Sequence, residues 1–177
     1  MSSPIKVDPP TIFLKPGEAH CGQGPARVVT ILGSCVSIVL FHQVGRFGAI
    51  CHAMQPSQPF YGCPGPDVRH DLDSVDGGLD WMLSEFAKRG LAMDKVEAKV
   101  FGGAAMLGGA CDVVPFLAVG SRNLDAAFQA IRRKKIRLTA WDVGGKQGRK
   151  IIFYLGTGEV LTQFVSKTKR PDARLTQ

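Results

Sequence analysis

Residues 36–54 read VSIVLFHQVGRFGAICHAM. Two apolar runs, 36–41, rich in β-branched side chains, and 47–54, flank the stretch 42–46, which carries one glycine, Gly45. Apolar runs of this length read as buried strands, and the glycine between them reads as a hairpin turn. This hairpin constrains the fold most, because its strands must be covered and every other element has to be arranged around them. With the turn centred near Val44–Gly45, antiparallel pairing brings position 35 opposite 53 or 54. Cys35, which follows Gly33-Ser34 at the mouth of the first strand, then lies beside His52 near the end of the second.

The flanking sequence supplies the cover. ARVVTIL (26–32) reads as a further buried strand. Val75, Leu79, Met82, Leu83 and Phe86 fall on one face of a helix that Asp73 or Ser74 can cap and Gly90 can end. KVEAKVF (95–101) reads as a strand, and VPFLAVGS (114–121) contains another. Ser121 can cap a second helix with Leu124, Ala127, Phe128 and Ile131 inward, and its basic last turn, RRKK (132–135), suits the helix dipole. IRLTAWDV, RKIIFYL and EVLTQFV (136–143, 149–155, 159–165) are strands, the last two a hairpin. Strands first, then helix, strand, helix and more strands is an α+β order. The expected organisation is an irregular lead-in over 1–25, one domain over 26–165 and a basic tail over 166–177. The Pro- and Gly-rich stretch 55–67 reads as a loop next to His52.

A chain of 177 residues, 45% hydrophobic and 21% charged, suits one globular domain. No apolar run approaches the roughly 18 residues of a membrane span, so membrane insertion is not expected. The five cysteines, Cys21, Cys35, Cys51, Cys63 and Cys111, are an odd set without an export signal, which points to reduced thiols and the cytoplasm. The net charge of +7 favours an acidic partner. It does not argue for nucleic acid, because the basic residues lack interleaved aromatics and any nucleic-acid motif. No exposed apolar seam is evident, and a monomer is expected.

Three chemistries compete for Cys35. It can be a buried small hydrophobe. Cys51, His52, Cys63 and His70 lie close enough together in sequence to raise zinc, but the tight CxxC pairs of structural zinc sites are missing. Or Cys35 is a nucleophile, with His52 as its base and nearby backbone N–H groups as an oxyanion hole. His42 and His70 read as exposed loop residues, and Cys51, alternating with His52, faces the other way into the core. Gly102 and Gly103 read as a backbone bend. Ser121, Arg122 and Asn123 read either as a helix cap or as site lining.

LGSCVSIVLF, the histidine of AICHAMQP that follows, AKVFGGAAM, VGSRN, DVGG and GRKIIFYLGTGEVL occur in one order over residues 25–165. Together they resemble the CheD family of chemoreceptor glutamine deamidases. The resemblance implies a layered α/β/β fold, with mixed, mostly antiparallel sheets, related to the catalytic domain of a deamidating bacterial toxin. It implies conversion of receptor glutamines to glutamate with release of ammonia, through a thioester on Cys35 with His52 as general base and acid, without metal or cofactor. Some members are credited with receptor methylesterase activity. Methyl-accepting chemoreceptors and a CheC-type phosphatase are the implied partners, and a non-catalytic adaptor binding either is the alternative. The family's third site residue is a threonine six positions before the cysteine. Here that position is Val29, and Thr30 stands five before. Because strand side chains alternate, a one-residue shift would turn Thr30 to the other face. Either the strand carries an irregularity or the role is filled differently. Lys146 stands where the family often has Asn after DVGG.

Overall fold

A computed structural model describes residues 8–56, 72–105 and 119–165. Its elements in chain order are β1 (Thr11–Phe13), β2 (Ala19–Gln23), β3 (Arg27–Leu32), β4 (Val36–His42), β5 (Phe47–Cys51), α1 (Val75–Lys88), a 3-10 turn (Met93–Lys95), β6 (Val96–Gly102), α2 (Val119–Arg133), β7 (Arg137–Val143), β8 (Arg149–Tyr154) and β9 (Val160–Phe164). They form a five-stranded sheet, β2-β5-β4-β6-β7, and a four-stranded sheet, β1-β3-β8-β9. Pairings are antiparallel except β1–β3 and β6–β7. Both helices cover one face of the five-stranded sheet and the four-stranded sheet covers the other, which gives helix, sheet and sheet layers.

β4 shows why the central run is apolar throughout. Val36, Ile38 and Leu40 join the core beneath the helices, while Val39 and Phe41 join the core between the sheets. A strand buried on both faces loses the polar alternation of a surface strand. The hairpin pairs as expected, Val39 with Ile50 and His42 with Phe47. At its tip His42 is buried, not exposed, and its Nδ1 accepts from the Gly45 N–H at 2.8 Å. The imidazole is needed there to satisfy a turn amide.

α1 begins at Ser74, whose side chain accepts from the Gly77 N–H, and Gly90 follows its end at φ 64°. Gly78 lets it sit directly on β5, where a Cβ would come within 3.0 Å of Cys51 Sγ. α2 corrects its expected start. Residues 119–121 are already helical, so they are not strand, and Ser121 lies inside the helix. The remainder of that expected strand is outside the described residues. The basic turn pairs with α1 as well as suiting the dipole, Arg133 with Asp76 and Lys134 with Asp80.

Residues 1–25 are not an irregular lead-in throughout, because β1 and β2 form within them. Neither has a sequence pattern of its own. β1 is three residues pinned alongside β3, and β2 is a half-buried edge strand that takes its register from β5. The inter-sheet core hangs on Phe153, fully buried against Gly48. Phe153→Ala should cost about 3–5 kcal/mol, read as a lower urea midpoint with an unchanged slope.

Candidate active site

The open end of the β4–β5 hairpin is closed by two backbone bonds, Val36 N–H to Ala53 O at 3.0 Å and Ala53 N–H to Val36 O at 2.8 Å. This register sets Cys35 and His52 on the face turned toward the four-stranded sheet, one residue either side of that bridge. Cys51 points the opposite way, fully buried beneath α1, where burial pushes its thiol up to about 11. Cys51 and His52 therefore cannot share one metal ion, and Cys63 and His70 lie outside the described residues.

Thr30 comes from the facing sheet. On β3 the side chains of Val28, Thr30 and Leu32 turn inward, and Thr30 is 3% exposed while Ile31 is 61% exposed. The β3–β8 ladder runs from Arg27–Tyr154 to Leu32–Arg149 without a break. The strand thus carries no irregularity, and Thr30 stands on the His52 side. The expectation that the shift would turn it away fails because facing is set by pairing with β8, not by counting back from Cys35. Its Oγ1 lies 2.7 Å from His52 Nδ1 and donates to Leu14 O at 2.8 Å. A hydroxyl has one proton. Since a carbonyl can only accept, that proton goes to Leu14, so Thr30 accepts from His52 Nδ1–H. The imidazole is held as the Nδ1–H tautomer, and its Nε2 keeps a free lone pair. Nε2 is buried and has no partner among the described residues.

The backbone of His52 is clamped by a stretch that sequence reading passed over. Its N–H donates to Glu18 O at 2.9 Å, and its carbonyl accepts from Gly17 N–H at 2.8 Å. Burial pushes the His52 pKa down to about 4, with the Glu18 carboxylate pulling slightly the other way. Burial also raises the half-buried Cys35 thiol, and its own amide N–H partly opposes this. Both shifts favour the uncharged forms, so the thiol and the imidazole on this face rest neutral.

Backbone from β6 holds the cysteine turn. Gly103 N–H donates to Cys35 O and Ala104 N–H to Gly33 O, both at 2.8 Å. A Cβ on Gly102 would meet Cys35 O at 2.3 Å, and both glycines have positive φ, 102° and 67°, so their bend also permits a close backbone approach. The DVGG stretch (142–145) docks on the same strand end, Gly144 N–H to Gly102 O and Ala105 N–H to Gly145 O at 2.8 Å. Buried Arg149 ties it down through Asp142 and the Gly144 carbonyl. Lys146 and Arg122 are exposed, whereas Asn123 is fully buried and reaches from α2 toward Cys35. Asn123 is therefore site-side, not a cap.

A family model described as CheD chemotactic sensory transduction matches residues 65–164. A Geobacter sulfurreducens protein named "Probable chemoreceptor glutamine deamidase CheD 2" is 40% identical, covering 90% of this chain and 93% of its own. The chain belongs to the CheD family. CheD proteins named in the same terms from Maridesulfovibrio salexigens and Pyrococcus horikoshii are 35% and 37% identical, covering 88% and 86% of this chain and 92% and 91% of theirs. The described residues of this CheD chain contain no helix long and apolar enough to cross a membrane.

Two predictions follow from the imidazole. An unfolded histidine near 6.5 takes up protons that folded His52 refuses until about 4. Its contribution to stability is therefore complete above 6.5 and is lost as pH falls toward 4, on the order of 3 kcal/mol. His20, also pushed down by burial, acts in the same direction. Urea midpoints should fall across this window, and His52→Gln should reduce the slope. Thr30→Val keeps the shape but strands His52 Nδ1–H and Leu14 O. Urea unfolding should show a loss of about 1–3 kcal/mol.

Proposed function

We propose that this chain deamidates glutamine side chains of methyl-accepting chemoreceptors through a thioester on Cys35. The observation that carries this reading is the Thr30–His52 pair, which presents an unprotonated Nε2 on the face that Cys35 shares, in a family whose relatives are named for this activity.

His52 Nε2 takes the Cys35 proton as Sγ bonds to the amide carbon, and the carbonyl electrons move onto oxygen. The low basicity of His52 is compatible with this, since imidazolium forms only as the negative charge moves to the substrate. Reformation of the carbonyl expels the nitrogen, which takes the proton from His52 and leaves as ammonia. Water then adds to the thioester, giving its proton to Nε2. Collapse releases the glutamate carboxyl, and His52 returns the proton to the thiol. A glutamate methyl ester fits the same sequence with methanol as leaving group, which gives a chemical basis for a methylesterase side activity. Adaptation of chemotactic signalling is the cellular role of such a reaction.

The test is mass spectrometry of a receptor cytoplasmic fragment incubated with the protein. The glutamine-to-glutamate mass gain should appear at specific residues with wild type and vanish with Cys35→Ala. Modification surviving Cys35→Ala would overturn the nucleophile. Tight binding of the fragment without modification by wild type would make the chain an adaptor for receptors or for a CheC-type phosphatase.

A further inference from the structure

The proposed chemistry requires donors for a developing oxyanion, and the backbone at Cys35 shows how one is aimed. Three successive carbonyls are tethered: Gly33 O by Ala104 N–H at 2.8 Å, Ser34 O by Asn123 Nδ2 at 3.0 Å, and Cys35 O by Gly103 N–H at 2.8 Å. The peptides are planar and none is cis, so each C=O points opposite the N–H that follows it. Tethering Ser34 O to α2 therefore turns the Cys35 N–H away from α2. The Val36 N–H is taken by Ala53 O, but among the described residues the Cys35 N–H has no acceptor. That open N–H partly offsets the effect of burial on the Cys35 thiol.

Of the three tethers only Asn123 is a side chain. It is 0% exposed, sits inside α2, and spends both Nδ2 protons on the site, one on Ser34 O and one on Met54 O at 3.0 Å. Those carbonyls lie one residue before Cys35 and two after His52, in the segment that leads into β4 and the segment that leaves β5. Its Oδ1 meets no donor among the described residues, so the two N–H groups are what the amide contributes. A buried amide oxygen without a donor is costly, and here that cost is set against two donor bonds at the site.

We infer that Asn123 is a positioning residue that aims the Cys35 amide N–H at the oxyanion and locks the cysteine turn to the histidine strand. The inference rests on the deamidase reading above, and two kinds of reaction at one sulfur separate them. Alkylation by iodoacetamide is a displacement that develops no oxyanion, whereas acyl transfer does. Asn123→Ala and the smaller change Asn123→Ser should lower kcat for a receptor fragment about 100-fold, the loss expected from a misplacement of about 1 Å. KM and the pH profile of Cys35 alkylation should stay as in wild type. Alkylation falling in step with kcat, or an unchanged kcat, would overturn the inference.

Wild type provides an arm independent of folding defects. A glutamine-derived peptide aldehyde adds to Cys35 as a hemithioacetal, whose oxygen should draw the Cys35 amide proton downfield in the NMR spectrum. No shift in a formed adduct would sink the proposal. If wild type forms the adduct with that shift but never deamidates a receptor fragment, the positioning role stands and the deamidase reading falls.

Discussion

Everything at the site depends on the pairing of Val36 with Ala53, which closes the open end of the β4–β5 hairpin. Side chains alternate strictly along a strand, so one residue of slip would send Cys35 and His52 to opposite faces. The register is protected by burial on both sides. Val36, Ile38 and Leu40 fill the core under the helices, and Val39 and Phe41 fill the core between the sheets. A one-residue slip would exchange the contents of the two cores.

Around this hairpin the site is assembled from backbone more than from side chains. His52 is gripped at its amide and carbonyl by the Gly17–Glu18 stretch, and Cys35 by the glycine bend that ends β6. Thr30, on the inner face of the four-stranded sheet, uses its one hydroxyl proton on Leu14 and so dictates where the histidine proton sits. The backbone contacts give the site a fixed setting, and the Thr30 hydroxyl selects one tautomer of His52. Burial raises the thiol and lowers the imidazole, which keeps both groups uncharged.

Much of this was legible in the sequence, for identifiable reasons. The hairpin turn, the Cys35–His52 neighbourhood and the turn of Cys51 away from them into the core follow from strand periodicity and one glycine. The α1 stripe follows from helical spacing. β1 and β2 were not legible, because edge strands of three and five residues take their form from partners. The early start of α2 was hidden because its first residues read equally well as a strand. His42 looked like a loop residue because nothing local shows that a turn amide needs its Nδ1.

The sequence by itself determined the chemistry available: one cysteine and one histidine at the mouth of a buried hairpin, within an α+β order. Local pattern is sufficient there, because alternation and turn chemistry act over neighbouring residues. Only tertiary structure decided which other groups serve that pair. Thr30 faces His52 through pairing with β8, Leu14 and Glu18 arrive from a stretch with no pattern of its own, and Asn123 reaches across from α2. These contacts join residues far apart in the chain, and their energy depends on the packing of separate layers, which no local window contains.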